Sequence, residues 1–171
     1  MKISFKNKMI ETAVGELRKL VGGSQVSIIP SASMLLFSAS PQDGLTITGT
    51  DLQTEQVYHF PDITSDVKGS ALVPARKFFD ICRLFEEDKD ISMVLSDDKT
   101  SIEIGDANYE LLSLPTDDFP EFKREDSGFS ISINLAELHH LISKTSFSMP
   151  QNDARYYLNG LLLEIKSRPF K

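Results

Sequence analysis

The feature that most constrains the fold is a pattern of one strand, one helix and three strands, which occurs twice and then starts a third time. In the first copy, residues 1–6 alternate apolar and polar side chains, and residues 8–21 change to helical spacing. Gly22 and Gly23 are the expected end of that helix. Strands are predicted at residues 34–39, 45–50 and 56–60, and the apolar stripe of the helix consists of Met9, Ile10, Ala13, Leu17 and Leu20.

The second copy repeats this order about 60–70 residues further along the chain. Residues 70–73 form its first strand, and Pro74 suits the start of a helix over residues 75–85. The turns at residues 41–44 and 96–99 separate strands in the first and second copy. The remaining strands are predicted at residues 91–95, 101–104 and 109–114, and the buried helix face consists of Phe78, Ile81, Cys82 and Phe85.

A third copy begins with alternating residues 129–133, but only its helix and one strand follow. Asn134 and Glu137 have the spacing of a capping box, which marks the helix start. A strand is predicted at residues 157–165, and the buried stripe of the helix consists of Leu135, Leu138 and Ile142. Residues 115–128 are rich in Pro, Asp and Glu and are typical of a linker. We therefore predict one domain at residues 1–126 and an incomplete one at residues 127–171.

Charge and cysteine content restrict the function classes. The net charge of −7 argues against a nucleic-acid partner when it is taken as a sum. The charges are segregated, however, because residues 86–126 hold 14 carboxylates and four basic residues, whereas residues 6–19 hold four basic and two acidic ones. The single Cys82 excludes an internal disulfide and fits a reducing cytoplasm. No apolar run reaches the roughly 20 residues of a membrane span.

Residue types that carry chemistry do not form a recognisable catalytic pattern. His59, His139 and His140 lack the spacing of metal ligands and are expected to be ordinary surface or partly buried side chains. The acidic runs at residues 86–88 and 97–98 are expected to be solvated turns, since a two-metal site needs carboxylates from several elements. Cys82 lies on an apolar stripe and is expected in the core. We predict no metal, no cofactor and no enzymatic activity.

Several longer motifs resemble the bacterial DNA polymerase III beta subunit, the sliding clamp. VPARKFFDICR at residues 73–83 is similar to the start of that family's second helix, and TGTDL at residues 48–52 to a motif on the preceding strands. SLPTDDFP at residues 113–120 resembles its interdomain turn. SFSM at residues 146–149 and RYYLNG at residues 155–160 resemble the opening of its second domain. These motifs follow the family's order over nearly the whole chain.

The resemblance implies an α+β DNA clamp fold, with duplicated strand–helix–three-strand units and helices on one face of the sheets. It implies a cytoplasmic processivity factor for DNA replication, in which two protomers of three domains each close a ring around double-stranded DNA. The basic helices would contact phosphates without reading bases. The implied partners are the DNA polymerase III core, the clamp loader and other proteins with clamp-binding motifs, in a homodimer of the full-length family and without a membrane.

The family's functional positions can be assigned residue by residue. The implied cleft for partner peptides includes Arg155 and Leu158, and the implied dimer interface includes Lys77, Tyr109 and Leu111. The implied DNA contacts are Lys6, Lys8, Arg18, Lys19, Arg76, Arg83, Asn152, Tyr156 and Tyr157. For each basic residue the alternative is an ordinary solvated charge, and for the two tyrosines it is a core aromatic side chain.

The sequence departs from the family in two places. Ser24 stands near the position of an expected DNA-contacting arginine, and the family's Thr-Asp-Gly-His-Arg motif does not follow Glu164. We therefore expect a truncated clamp that cannot close the usual ring, with strand 109–114 as an unpaired sheet edge. The alternative is a non-enzymatic interaction protein that binds a full-length clamp. A third account, a metal-dependent nuclease, would depend on Asp97 and Asp98.

Overall fold

The structure is a computed structural model that describes residues 1–21, 29–85, 88–96, 98–120, 130–150 and 153–165. The chain divides into two compact units, Met1–Lys123 and Arg124–Lys171, which are treated separately below. The predicted domain boundary near Asp126 and the predicted helix end at Gly22 and Gly23 lie outside the described residues. The helices within the described residues include none that is long and apolar enough to cross a membrane.

The first unit contains both complete copies of the repeated pattern. The elements of the first copy are β1 (Lys2–Lys6), α1 (Asn7–Val21), β2 (Met34–Ser40), β3 (Gly44–Thr50) and β4 (Glu55–Phe60). Those of the second copy are β5 (Gly69–Pro74), α2 (Ala75–Arg83), β6 (Asp90–Leu95), β7 (Lys99–Ile104) and β8 (Ala107–Leu112). All ten elements were predicted from the sequence, with ends that differ by at most two residues.

The two copies exchange their first strands. One sheet has the order β1-β6-β7-β8 and the other β4-β3-β2-β5, and every neighbouring pair is antiparallel. Phe5 of the first copy is thus opposite Ile91 of the second, and Val73 of the second is opposite Leu35 of the first. Neither copy can complete its sheet without the other, so the two copies fold as one domain.

The helices lie between solvent and the core that both sheets enclose. Ile10, Val14 and Leu17 of α1 are fully buried, and Phe78 of α2 meets Phe37 of β2 edge to face at 5.3 Å between ring centroids. The predicted stripe of α1 was wrong at Met9, which is 43% exposed, and it missed Val14. The buried residues Ile10, Val14 and Leu17 are spaced by four and three positions, so Met9 lies to one side of the buried stripe. Leu20 is half-buried.

The segment after β8 belongs to the first unit and not to a free linker. It crosses the outer face of the β4-β3-β2-β5 sheet, where Phe119 packs with Met34 and Leu72 in a second, smaller apolar cluster. A short 3-10 helix, Thr116–Asp118, precedes this contact, and Ser31 donates a hydrogen bond to the Asp118 carbonyl at 2.6 Å. The prediction of a linker from residue 115 onward was therefore wrong for residues 115–119.

The second unit contains α3 (Leu135–Thr145) without the sheet that its pattern predicts. Asn134 caps the helix, since its side chain accepts a hydrogen bond from the Ala136 amide at 2.8 Å. The predicted strands at 129–133 and 157–165 were wrong where the residues are described, because 130–133 and 159–165 have no strand pairing. The predicted burial of the stripe was also wrong: Leu135 is 79% and Ile142 45% exposed.

Candidate nucleic-acid interface

The solvent-facing sides of α1 and α2 carry an excess of positive charge. Helix α1 contains three basic and two acidic residues, and α2 contains three basic and one acidic residue, so the pair has a net charge of +3. The whole chain has a net charge of −7. The net charge of the two helices is therefore opposite in sign to that of the whole chain.

The two helices run antiparallel, with hydrogen bonds near one end of the pair and an open cleft at the other. At one end, the buried Asn7 donates from its side-chain amide to the Phe85 carbonyl at 3.2 Å, and its backbone amide donates to the Lys89 carbonyl at 3.0 Å. At the other end, the last turn of α1 and the first turn of α2 border an open cleft of 430 Å³. The side chains around this cleft are Arg18, Lys19, Val21, Ser33, Ala75 and Arg76.

Between these ends, one aromatic ring lies under two guanidinium groups. The guanidinium carbon of Arg18 is 4.6 Å from the ring centroid of Phe79, and that of Arg83 is 5.5 Å from it. Both distances are in the range of cation–π interaction. In the part of the chain that the structure describes, neither arginine has a carboxylate within ion-pair distance. Sequence reasoning placed both arginines on this surface but missed Phe79, whose signal was its position four residues before Arg83.

The remaining basic candidates of the first unit differ in how far a carboxylate offsets their charge. Lys19 forms an ion pair with Glu16 at 2.7 Å, and Lys6 is 3.7 Å from Asp88. Both pairs are exposed to solvent and therefore weak. Lys8 and Arg76 are exposed at the starts of α1 and α2. The structure thus gathers Arg18, Lys19, Arg76 and Arg83 along the paired helices, whereas Lys6 and Lys8 lie where β1 meets α1.

The candidates of the second unit lie in one tight turn. Arg155 binds Asp153 at 3.1 Å, and this hydrogen-bonded pairing lowers the pKa of the Asp153 carboxyl. A 3-10 helix, Tyr156–Leu158, follows directly; Tyr157 is 67% exposed, which contradicts its reading as a core aromatic, and Leu158 is half-buried. Asn152 lies outside the described residues.

The candidates for the dimer interface lie on two elements of the first unit. Tyr109 and Leu111 occupy alternate positions of β8, which is an edge strand, and both pack partly against the core. Lys77 is exposed on α2. Among the described strands only β7 pairs with β8, so a further strand could be added along the other side of β8.

The candidates for chemistry resemble structural residues. Cys82 is buried in the core, and this burial, followed by the nearby Glu11 charge, raises the pKa of its thiol to about 12. Such a thiol is a poor nucleophile at neutral pH, as the sequence predicted for a core position. His59, His139 and His140 are exposed. Over the described residues, no three His, Cys, Asp or Glu side chains are grouped as a metal site would require.

Comparison with protein families identifies the first unit. The model of the DNA polymerase III beta subunit, N-terminal domain, matches residues 1–123. The beta sliding clamp of Vibrio cholerae is 34% identical over 165 residues, which cover 96% of this chain and 44% of that protein. The beta sliding clamp of Escherichia coli K12 is 33% identical and aligns with 100% of this chain and 46% of its own length.

Solved structures give the same result for the fold. The DNA polymerase III subunit beta of Pseudomonas aeruginosa matches with a TM-score of 0.81 at 31% identity, over 94% of this chain and 43% of that one. The pol III beta of Caulobacter crescentus matches with a TM-score of 0.80 at 32% identity, over 94% and 42%. The predicted α+β clamp fold is therefore confirmed, and the chain spans less than half the length of these relatives.

Proposed function

The chain belongs to the DNA polymerase III beta subunit family, the beta sliding clamps, and from this premise we propose that it serves in DNA replication by holding duplex DNA. In this role the outer faces of α1 and α2 contact the sugar-phosphate backbone and no base is read. The protein is a non-catalytic, cytoplasmic component of a polymerase processivity factor. It holds a polymerase at the DNA through the placement of its basic helices against the phosphates, and this role needs neither a metal nor a cofactor.

The observation that carries this proposal is the opposite sign of the two-helix surface and of the whole chain. A net charge of +3 on two neighbouring helices attracts phosphates, while the acidic remainder of the molecule repels DNA from other surfaces. Contacts of this kind release counterions and depend little on sequence. A protein held in this way can move along the duplex, because each position on the DNA is equivalent.

The other assigned positions extend the proposal to partners. Arg155 and Leu158 would contribute to a cleft for short peptides of the polymerase core, the clamp loader and other clamp-binding proteins. Tyr156, Tyr157 and Asn152 would contact DNA next to that cleft. Lys77, Tyr109 and Leu111 would meet a further protomer, with β8 adding a strand across the interface as edge strands do.

The test is a measurement of DNA affinity as a function of salt. Two labelled duplexes of unrelated sequence are titrated with the chain, and fluorescence anisotropy is followed at several salt concentrations. We expect the same affinity for both duplexes, with a dissociation constant of about 10⁻⁴ M or higher. The affinity should fall as the salt concentration rises. Reversal of charge in the double variant R18E/K19E should weaken binding about tenfold or more on both duplexes.

A matched variant separates the helix surface from net charge. K2E/K99E changes the net charge by the same amount, but both lysines are on strands β1 and β7 of the sheet. It should leave affinity close to that of the unchanged chain. Equal losses for the two double variants, or a loss on one duplex alone, would contradict the assignment of α1 and α2 as the contact surface.

A second candidate function rests on the open edge of β8. A chain that adds this edge to a full-length clamp would act as an interaction protein without binding DNA itself. Light scattering after size-exclusion chromatography, with the chain alone and mixed with a full-length beta sliding clamp, distinguishes the two. A stable mixed complex together with absent DNA binding would favour this second function.

A further inference from the structure

We propose that Phe79 is a positioning residue for DNA binding, which holds the Arg18 and Arg83 guanidinium groups in one place before the phosphates arrive. This inference rests on the proposed function, because it names a residue through which the helix surface acts. Phe79 would contact no DNA itself. Its role is to restrict two flexible cations that belong to two different helices.

The geometry joins both helices through one ring. Arg18 comes from α1 and Arg83 from α2, and both guanidinium carbons lie within 5.5 Å of the Phe79 centroid. The ring also lies directly beside α1, since a methyl group added at Gly15 would be 3.7 Å from its Cε2 atom. Phe79 is half-buried and packs on the core, so its own position is fixed.

The ring reduces the conformational freedom that the two arginine side chains would otherwise lose on binding phosphate. An arginine side chain has many rotamers, and their loss weakens any contact that the guanidinium makes. Stacking on an aromatic face restricts these rotamers and leaves the N–H donors at the edge of the guanidinium plane available for phosphate oxygens. A carboxylate could also restrict an arginine, but it would compete with phosphate for the same donors. Phe79 orders the cations without neutralising them.

Five variants test the coupling between ring and cations. Phe79→Leu keeps an apolar side chain but removes the aromatic face, and we expect about a fivefold loss of DNA affinity at low salt. Phe79→Tyr keeps the aromatic face and should bind DNA with the affinity of the unchanged chain. Phe85→Leu is the matched control, because Phe85 lies just after α2 and also packs partly on the core. This substitution should lower the stability of the protein without changing its DNA affinity. In R18Q/R83Q, the further change Phe79→Leu should have no additional effect on affinity.

A readout without DNA tests the geometry independently. In the free protein, ring-current shifts should move the side-chain NMR signals of Arg18 and Arg83 upfield, and these shifts should vanish in Phe79→Leu. Unshifted signals, an affinity for Phe79→Leu equal to that of the unchanged chain, or a full additional loss in R18Q/R83Q would each overturn the positioning role. Absent DNA binding by the unchanged chain would overturn the proposed function and the positioning role together, a pattern distinct from the other three.

Discussion

Helices α2 and α3 share a sequence pattern, but the apolar stripe is buried in α2 and largely exposed in α3. When the numbering is shifted by 60 residues, Phe78 and Cys82 of α2 correspond to Leu138 and Ile142 of α3. In the first unit these positions are buried, with Phe78 fully enclosed and Cys82 5% exposed. In the second unit, Ile142 is 45% exposed and Leu138 only half-buried. An apolar stripe on a helix is therefore buried only where another part of the structure packs against it.

The missing surface can be identified from the first unit. There, each helix is covered because the strand before it joins the sheet of the other copy: β1 pairs with β6 and β5 pairs with β2. The strand predicted before α3 has no such sheet among the described residues of the second unit, and residues 130–133 are not paired. One copy of the pattern is thus not enough to complete either sheet of the first unit, because each sheet takes one strand from the other copy.

The largest expected difference between the units is in thiol reactivity. Cys82 has a pKa raised to about 12, so at pH 8 only about one thiol in 10⁴ is ionised. The double variant C82A/I142C moves the thiol to the corresponding position of α3, where exposure should leave its pKa near the ordinary value of about 8.5. Labelling with a chromogenic disulfide reagent should be about three orders of magnitude faster for this variant than for the unchanged chain. Similar rates would mean that the two helices are equally covered.

Alanine substitution at corresponding positions should separate the units by several kcal/mol. Phe78→Ala removes a fully buried ring and its contact with Phe37, and we expect the free energy of unfolding to fall by about 4 kcal/mol. Leu138→Ala removes a side chain that is already partly solvated, with an expected loss below about 1 kcal/mol. Urea denaturation followed by far-ultraviolet circular dichroism measures both. A loss for Leu138→Ala as large as for Phe78→Ala would show that α3 has a core of its own.

The smallest expected effect concerns the helix starts. Asn134 caps α3 through the Ala136 amide, whereas the corresponding Pro74 makes no side-chain cap for α2. Because α3 has little buried surface, Asn134→Ala should destabilise the helix by about 1 kcal/mol and reduce its amide protection in hydrogen exchange. Asn134→Asp keeps the acceptor and should preserve protection. Unchanged protection in Asn134→Ala would show that packing, and not the cap, maintains α3.

Prediction from sequence succeeded where a pattern is local and failed where it depends on a partner. The strands of the first unit and the helices α1, α2 and α3 follow from alternating and helical spacing, and the residue types of the basic surface are visible in the sequence. The strands predicted in the second unit failed because a strand needs hydrogen-bonding neighbours. No role was predicted for Phe79, because its contacts with Arg18 and Arg83 depend on how the two helices are placed.

The sequence by itself determined the order of elements, the repeated pattern, the cap at Asn134 and the number of cations on α1 and α2. These depend on residues within a few positions of one another, where backbone geometry leaves few choices. Only the tertiary structure decided which strand joins which sheet, that residues 115–119 cover a sheet face, and that two arginines share one ring. Each of these depends on groups far apart in the chain, whose contacts exist only after the two copies have enclosed a common core.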